Sequence, residues 1–346
     1  MANRSVLETE ASETPALAVQ QFERLTRELP VLVARLDHLA PALVATIARG
    51  SSDHAAAFAG YLFGLQMSLP TASVPPSIAS VYGRTLRLDK GLVLAISQSG
   101  ASPDLCAAVD SAKAAGAFTL GLSNSAESEL GRAVEAQIET GAGSERAVAA
   151  TKSFILTLTA LVHLVAAWSR NASLLRALES LPTTLAQCET VDWGAAMRLL
   201  DGQENVFVVG RGPALPVARE FALKLKEVCG IHAEATSAAE LLHGPISIAS
   251  PSLPAIVLAG DRYARPSVEA AVSRLRAAGA PVVLVAAGSK TAEEGNGIVA
   301  IPQAPDPLLE PVVAAQAAYS FFAALARARG KDPDCSPHLR KITRTV

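Results

Sequence analysis

Short, almost continuously apolar runs alternate with helical patterns along most of this chain. Leu92–Ile96 is such a run. It leads through a polar turn into a helical pattern over Pro103–Ala115, and another apolar run follows at Phe118–Leu122. Strands that are apolar on both faces are typical of parallel sheets covered by helices on both sides. The alternation therefore predicts an α/β fold built on parallel sheets.

The alternation occurs twice, with the copies roughly 160 residues apart. In the first copy the predicted strands are Leu43–Ala48, Leu92–Ile96, Phe118–Leu122 and Gln137–Glu139. In the second copy they are Val206–Val209, Ala255–Leu258, Pro281–Val285 and Ile298–Ile301. We expect two tandem units of one architecture, each a doubly wound, flavodoxin-like parallel sheet flanked by helices.

The segments outside these strands complete the predicted domain organisation. Near the N-terminus, apolar residues recur at helical spacing but are interrupted near Pro30, which predicts two amphipathic helices after a loose start of about 15 residues. The expected divisions are an N-terminal helical segment (1–40), a first unit (41–170), a helical connector (171–202), a second unit (203–330) and a C-terminal tail (331–346).

Composition argues against several classes of protein. Half of the 346 residues are hydrophobic, and the net charge is −2 with no basic run, so neither nucleic acid nor a membrane surface is expected as a partner. The four cysteines form no CxxC pair, which predicts reduced thiols in a cytoplasmic protein. The polar N-terminus lacks the apolar core of a signal peptide, and the apolar stretch Leu156–Trp168 is too short for a membrane span.

The polar turn that follows Leu92–Ile96 has the composition of an anion site. Free backbone N–H groups and the positive end of the helix dipole attract phosphate at such a turn. The side chains that can add neutral donors are Ser97, Gln98, Ser99 and Ser102. A second turn with hydroxyls, Gly50-Ser51-Ser52, follows the first predicted strand. The alternative interpretation is an ordinary strand-to-helix turn capped by serine.

The second copy carries a different set of polar residues. On its first predicted helix, Glu220, Lys224 and Glu227 fall at i, i+4 and i+7 and share one face. An exposed Glu–Lys pair is the alternative, because such pairs are common on helix surfaces. A short predicted helix then ends at His243, where an imidazole at a loop tip is available for proton transfer. No histidine spacing suits a metal, so no metal site is expected.

Five stretches of the chain together resemble the SIS (sugar isomerase) family. They are GSS, SQSGAS, GSERAVAATKSF, FALKLKEVCGIHAEATSAAELLHGP and DPDCSPHLRKITRTV. The fourth stretch is far more specific than the serine turn alone. Within the family, the chain is similar to the isomerase half of the glutamine-dependent glucosamine-6-phosphate synthase and to the stand-alone glucosamine-6-phosphate deaminases.

The resemblance implies a role for each candidate residue. Those implied to hold the phosphate of a sugar 6-phosphate are Ser51, Ser52, Ser97, Gln98, Ser99 and Ser102. Glu227 is implied to move a proton between C1 and C2 of the opened sugar, with Lys224 stabilising negative charge on oxygen. His243 is implied to open the ring from a partner subunit, and Lys341 to close over the substrate. Further implied substrate contacts are Glu145, Val148 and Ala150, of which Ala150 stands where the synthase has serine and is expected to contact through its backbone only.

These implied roles correspond to aldose–ketose chemistry that needs neither a metal nor another cofactor. The synthase has a glutaminase domain with no counterpart before the first predicted strand. We therefore expect deamination, in which glucosamine 6-phosphate and water give fructose 6-phosphate and ammonia, carried out by a homodimer. Three other enzymes remain open: a galactosamine-6-phosphate deaminase, a fructosamine-6-phosphate deglycase, and the isomerase part of a glutamine–fructose-6-phosphate aminotransferase-like system. A non-catalytic phosphosugar sensor is also open, although sensors normally carry a DNA-binding helix-turn-helix before a single unit.

Overall fold

The computed structural model describes residues 4–288, 297–339 and 341 of the chain, and helices and strands alternate through them. The helices are α1 (Val6–Leu39), α2 (Ser51–Met67), α3 (Ser77–Ser80), α4 (Pro103–Ala114), α5 (Glu129–Ala133), α6 (Lys152–Trp168), α7 (Ala172–Gln187), α8 (Gly194–Leu199), α9 (Ala214–Glu227), α10 (Ala238–His243), α11 (Arg265–Ala277) and α12 (Glu310–Ala328). The strands are β1 (Val44–Ala48), β2 (Thr71–Ser73), β3 (Leu92–Ser97), β4 (Phe118–Ser123), β5 (Ala136–Glu139), β6 (Asn205–Gly210), β7 (His232–Ser237), β8 (Ala255–Leu258), β9 (Val282–Ala287) and β10 (Ile298–Ile301).

The strands form two five-stranded sheets with the same topology. Their orders are β2-β1-β3-β4-β5 and β10-β9-β8-β6-β7, and the paired strands run parallel. Numbered from β6, the second sheet repeats the order of the first. The strand order reverses between β1 and β3 and again between β6 and β8, and ligand sites of such sheets form at these switch points. The predicted α/β fold with two tandem doubly wound sheets is confirmed.

The chain divides into two compact units, each built around one sheet. The first-sheet unit consists of Ala16–Glu145, Lys152–Glu179 and Leu339–Val346. The second-sheet unit consists of Met1–Pro15, Arg146–Thr151 and Ser180–His338.

The core of the first-sheet unit explains why its strands are apolar on both faces. Every residue of β1 and of β3 is buried. Ile47 and Val93 belong to a cluster with Leu105 and Val109 of α4, while α2 also packs on these two strands. Behind α2 lies α6, which is buried along nearly its whole length. Helices therefore cover β1 and β3 on both sides, as the sequence predicts.

The core of the second-sheet unit is built in the same way. Phe207 and Val257 of the sheet pack with Leu241 of α10 and Leu275 of α11. The helix α12 packs against α9. Burial of these apolar faces supplies most of the folding free energy and holds the first turns of α9 and α10 at one edge of the sheet.

The N-terminal segment differs from its prediction. The single helix α1 runs from Val6 to Leu39, with Pro15 and Pro30 inside it. A proline inside a helix removes one hydrogen bond and favours a break. Here a stripe of buried leucines runs along the helix on both sides of Pro30: Leu25, Leu29, Leu32 and Leu36. The prediction of a loose start and two helices is wrong because burial of this stripe outweighs the local preference of proline.

Among the described residues, one stretch is long and apolar enough to cross a membrane, Pro307–Ala328, with a mean hydropathy of 1.4. Of its most apolar window, 83% is buried inside the protein. A core helix of a globular protein passes the same test, so this stretch is weak evidence for a membrane span.

Candidate active site

Two hydroxyl-bearing loops lie together at the switch point of the first sheet. The first, Gly50–Ser52, follows β1, and the second, Ser97–Ser102, begins at the last residue of β3. We call these two segments the serine loops. Because β1 and β3 are adjacent and parallel, with Ala48 opposite Ile96, both loops leave the same edge of the sheet. The six predicted phosphate-binding residues are therefore brought to one place within the first-sheet unit.

The second serine loop is shaped by its own hydroxyls. The Gly100 N–H donates to Ser97 Oγ over 3.1 Å, and the Ala101 N–H donates to Ser99 Oγ over 3.3 Å. In both bonds the hydroxyl accepts, so each keeps a proton that it can donate to a ligand. Ser97 is buried and Ser99 is partly exposed, which places Ser99 nearer to solvent at the sheet edge.

Gly100 has a structural reason to be glycine. Its φ is +62°, in the left-handed region, and a Cβ there would lie 2.3 Å from Ser128 Oγ and 2.4 Å from Ser128 Cβ. The Leu130 N–H also donates to the Gly100 carbonyl oxygen over 2.9 Å. The loop conformation therefore depends on α5, which follows the neighbouring strand β4.

Helices begin at both serine loops without a capping side chain. The N-cap residues are Gly50 for α2 and Ser102 for α4, and neither provides a side-chain cap. The side chains of Ser52, Gln98 and Ser102 are at least partly exposed and bond to no other residue of the described ranges. Uncapped N–H groups, free hydroxyls and two helix N-termini together form a site suited to an anion such as phosphate.

An ion pair joins two residues that flank the serine loops and was not anticipated from the sequence. Arg49, directly before Gly50, donates from Nε to Asp104 Oδ2 over 2.7 Å. Asp104, in the first turn of α4, is fully buried at its carboxylate. A charged residue beside Gly-Ser-Ser was the available signal, but its partner 55 positions away is visible only in the fold.

The corresponding switch point of the second sheet is built differently. The segments there are Gly210–Pro213 after β6 and Ala259–Asp261 after β8, which lack serine. Asp261 Oδ1 instead accepts the N–H groups of Tyr263 and Ala264 at 2.8 and 2.9 Å, before α11 begins. The two switch points therefore differ in their polar side chains, and the hydroxyls are at the first sheet.

In the second-sheet unit, α9 brings three charged side chains together. Lys224 Nζ lies 3.0 Å from Glu220 Oε1 and 2.8 Å from Glu227 Oε2. The side chains of Lys224 and Glu220 are 1% and 2% exposed, whereas that of Glu227 is 23% exposed. The alternative of an exposed surface pair is therefore wrong, since only Glu227 reaches solvent.

The charge of Lys224 is fixed by these neighbours. Burial by itself would lower the pKa of Lys224, but the charges and hydrogen bonds of the two carboxylates raise it above its ordinary value. Lys224 is therefore a cation at neutral pH. It lies directly beside the one partly exposed carboxylate of the cluster, where it can stabilise negative charge on a bound molecule.

The remaining acid–base candidate of this unit is exposed. The short helix α10 begins with the Ser237 hydroxyl accepting the Glu240 N–H over 3.0 Å, and it ends at His243 as predicted. His243 is exposed, and so are its neighbours Leu242 and Ile248, at 36% and 58%. The imidazole is open to solvent beside exposed apolar side chains.

Lys341 and Glu145 are paired within the first-sheet unit. Lys341 Nζ lies 2.9 Å from Glu145 Oε2. The same carboxylate group accepts the Ser153 N–H over 3.1 Å and the Ser153 hydroxyl over 2.7 Å, at the start of α6. The side chain of Glu145 is fully buried and that of Lys341 is 24% exposed. Glu145 is thus directed at Lys341, a pairing that the sequence does not reveal.

The segment that holds Val148 and Ala150 is anchored at both ends in the second-sheet unit. The buried carboxylate of Glu10 in α1 accepts the backbone N–H groups of Arg146 and Ala147, the latter over 3.1 Å. The Tyr319 hydroxyl of α12 donates to the Thr151 carbonyl oxygen over 3.1 Å. These anchors give the backbone of residues 146–151 a defined path.

The chain ends of this unit also meet. The carboxylate of Asp334 accepts the N–H groups of Val6 and Leu7, both at 2.8 Å, and so caps α1. The Ser336 hydroxyl donates to the Glu227 carbonyl oxygen. The segment before Lys341 is therefore fastened to α1 and to the last residue of α9.

Metal ligands do not cluster in the part of the chain that the structure describes. No group of three or more histidine, cysteine, aspartate or glutamate side chains there could hold a metal ion. The charged cluster on α9 is occupied by its own lysine.

The two sheets define a doubly wound α/β protein with two tandem units. A family model described as "SIS domain" matches residues 43–167 and 199–328. The chain belongs to the SIS domain family, in two tandem copies, and the resemblance seen in the sequence is confirmed.

Individual relatives agree with this assignment. The glutamine–fructose-6-phosphate aminotransferase (isomerizing) of Corynebacterium efficiens is 33% identical over 317 residues, covering 86% of this chain and 50% of that protein. The chain thus spans about half the length of the curated relatives it matches.

Solved structures show the same fold. A protein of Silicibacter pomeroyi DSS-3, provisionally assigned as a phosphosugar isomerase, has a TM-score of 0.88 and 36% identity over 96% of this chain and 100% of that chain. The glucosamine-6-phosphate deaminase of Thermotoga maritima has a TM-score of 0.77 and 21% identity over 99% of this chain and 100% of that chain. At 21% identity the likeness shows the fold alone.

Proposed function

We propose that the chain is a phosphosugar isomerase of the SIS type that deaminates glucosamine 6-phosphate. Water is the second substrate, and fructose 6-phosphate and ammonia are the products. This reaction needs an anion site, a proton carrier and a cation beside it, and this chain has residues for each. It needs no ammonia donor. The observation that carries the proposal is the α9 cluster, in which the partly exposed Glu227 carboxylate lies 2.8 Å from the buried Lys224 ammonium.

In the proposed mechanism the serine loops hold the 6-phosphate and so position the carbons at the other end of the sugar. His243 opens the ring by proton transfer. Glu227 then carries a proton from C2 to C1, while the C2 nitrogen loses a proton and the C1 oxygen gains one. The aldehyde with a C2 amine thereby becomes a C2 imine with a C1 alcohol. Lys224 stabilises the negative charge that develops on oxygen. Addition of water to the imine releases ammonia and leaves the C2 ketone of fructose 6-phosphate.

Lys341 and the anchored segment complete the proposed site. Lys341 would close over the substrate, with Glu145 holding its ammonium in place through the 2.9 Å ion pair. The backbone of Val148 and Ala150 would contact the sugar, as the resemblance implies, and Glu10 and Tyr319 hold both ends of that segment. In this proposal Glu145 acts through Lys341 rather than by touching the substrate.

A second candidate is the sugar half of a glutamine–fructose-6-phosphate aminotransferase reaction. It is favoured by the 33% identity to the Corynebacterium efficiens enzyme over 86% of this chain. The same residues would then run the proton transfer from fructose 6-phosphate towards an amino sugar. Galactosamine-6-phosphate deamination and fructosamine-6-phosphate deglycation would use the same phosphate site, and a sensor would bind without turnover.

A substrate panel tests the proposal. The purified protein is incubated separately with glucosamine, galactosamine and fructosamine 6-phosphates, and ammonia and fructose 6-phosphate are measured. We expect both products in equal amounts from glucosamine 6-phosphate. Absence of ammonia from that sugar would contradict deamination. Glucosamine 6-phosphate formed only from fructose 6-phosphate and added ammonia would favour the second candidate.

The substitution Glu227→Gln tests the assignment of the proton carrier. It preserves the shape of the side chain but removes its ability to take a proton, so we expect turnover to fall by about 100-fold or more while phosphosugar affinity changes little. Steady-state kinetics and calorimetric titration measure the two effects. A Glu227→Gln protein with near-normal turnover would exclude Glu227 from the proposed role.

A further inference from the structure

Arg49 is a cation at the serine loops to which no role has yet been given. We propose that its guanidinium binds the sugar phosphate directly, and that Asp104 orients it. This inference rests on the proposed function of the serine loops and deepens it, since the other proposed phosphate ligands are neutral.

The geometry of the pair leaves one side of the guanidinium open. Arg49 donates from Nε over 2.7 Å to a carboxylate that is 0% exposed, so its Nε edge faces the interior. The Arg49 side chain itself is 47% exposed, so the part of the guanidinium not bonded to Asp104, with the Nη groups, has access to solvent. Those Nη groups donate to no residue in the described parts of the chain.

Arg49 and Asp104 share a single hydrogen bond, through Nε, which is unusual for an ion pair with a purely structural role. Guanidinium and carboxylate groups commonly meet through two parallel N–H···O bonds. Here the second oxygen, Asp104 Oδ1, instead accepts the Leu105 N–H over 2.9 Å. The pair therefore fixes the direction of the guanidinium while leaving four N–H donors for another partner.

The carboxylates near the serine loops also favour a role for Arg49 in phosphate binding. Both helices that begin at the serine loops carry a carboxylate in the first turn, Asp53 in α2 and Asp104 in α4. Two carboxylates beside a phosphate dianion would repel it, and burial of Asp104 reduces screening by water. The Arg49 charge offsets that of Asp104, so the summed charge of these side chains changes from −2 to −1 and repels the phosphate less.

A double-mutant comparison isolates the phosphate contact from the ion pair. All variants carry Glu227→Gln to prevent turnover, and fructose 6-phosphate and inorganic phosphate are titrated calorimetrically. The decisive comparison is Asp104→Asn against Arg49→Met/Asp104→Asn, because neither protein has a buried carboxylate at position 104. We expect the Arg49 substitution to weaken both ligands by about 10- to 100-fold, as loss of a charge-assisted bond does.

A matched control removes another arginine of the same unit. Arg170 forms an ion pair with Asp37, with 2.6 Å between Nη2 and Oδ2, and both residues are distant from the serine loops in sequence. Arg170→Met should therefore leave both affinities unchanged. If Arg49→Met/Asp104→Asn binds as tightly as Asp104→Asn, Arg49 does not contact the phosphate and the inference is overturned. If the Glu227→Gln parent binds neither ligand, the proposed function of the serine loops fails and the inference falls with it.

Discussion

At the residue scale, the charged cluster on α9 shows what a helical pattern can and cannot predict. The spacing of Glu220, Lys224 and Glu227 places them on one face, and the structure confirms it. Burial of the first two depends on helices and strands that pack around α9 from distant parts of the chain. The sequence therefore left an exposed pair open, and only the fold excludes it.

Breaking this cluster should cost much more than breaking a surface pair. In Lys224→Met the Glu220 carboxylate stays buried without its cation, and we expect the free energy of unfolding to fall by about 3–5 kcal/mol. Urea denaturation followed by circular dichroism measures the change. The double variant Glu220→Gln/Lys224→Met should recover most of the loss, and a single variant as stable as wild type would contradict the role of burial.

His163 should make stability depend on pH. It is 3% exposed, stacks on Phe22 at 4.8 Å, and its Nδ1 has no hydrogen-bond partner among the residues that the structure describes. Burial lowers the pKa of His163 from 6.5 to about 4. Between these values the unfolded state binds a proton that the folded state does not, so stability falls as pH falls from 6.5 to about 4, by up to about 3 kcal/mol.

Urea unfolding at several pH values across this range tests the effect. The variant His163→Phe keeps an aromatic ring on Phe22 but cannot take a proton, so it should lose this part of the pH dependence. The pKa of Glu8 is lowered from 4.5 to about 2, mainly by hydrogen bonds from Arg327. Protonation of Glu8 therefore also lowers the stability as the pH falls, but only below about pH 4.5. If the unfolding free energy of His163→Phe still falls with the wild-type slope between pH 6.5 and 4.5, His163 is not the source of this pH dependence.

At the element scale, local pattern predicted the strands well and the first helix badly. Apolar runs identified β8 and β10 at their observed bounds and β3 to within one residue. Proline and helical spacing gave conflicting signals in α1. The helix continues through Pro30 because its leucines are buried against other parts of the chain. A prediction from neighbouring residues alone does not include those distant contacts.

The second serine loop should be intolerant of a side chain at Gly100. In Gly100→Ala the new Cβ would overlap Ser128 and the backbone would be held at φ +62°, so the loop must move. We expect phosphosugar affinity to fall by about tenfold or more. Calorimetric titration measures it. The double variant Gly100→Ala/Ser128→Gly should regain the part due to overlap, and full affinity in Gly100→Ala alone would show that the loop conformation is unimportant.

At the scale of the whole molecule, the repeat visible in the sequence predicted two sheets of one topology, and the strand orders confirm it. The sequence also showed that the turns of the first copy carry hydroxyls, whereas the second copy carries charged residues. It did not reveal Arg49–Asp104, Glu10 with residues 146–147, or Lys341–Glu145. Each of these pairs joins distant positions, and their distances are set by tertiary packing alone.

The homodimer that the family resemblance implies leads to a prediction that concerns two chains at once. If His243 serves the partner subunit, mixing Glu227→Gln with His243→Asn creates dimers in which one site has both native residues. After subunit exchange in equal amounts, we expect about a quarter of wild-type deaminase activity from two proteins that are each inactive. Activity that stays at the level of the separate variants, in dimers shown by mass spectrometry to have exchanged, would place His243 in its own subunit's site.

The cap that Asp334 provides to α1 has a practical consequence for anyone who handles this protein. Two segments distant in sequence meet there, since the first turn of α1 depends on a carboxylate only a few positions before Lys341. A purification handle or fused partner at either end therefore bears on the same spot. Proteins tagged before α1 and after Lys341 should be compared before a weak activity is ascribed to the protein itself.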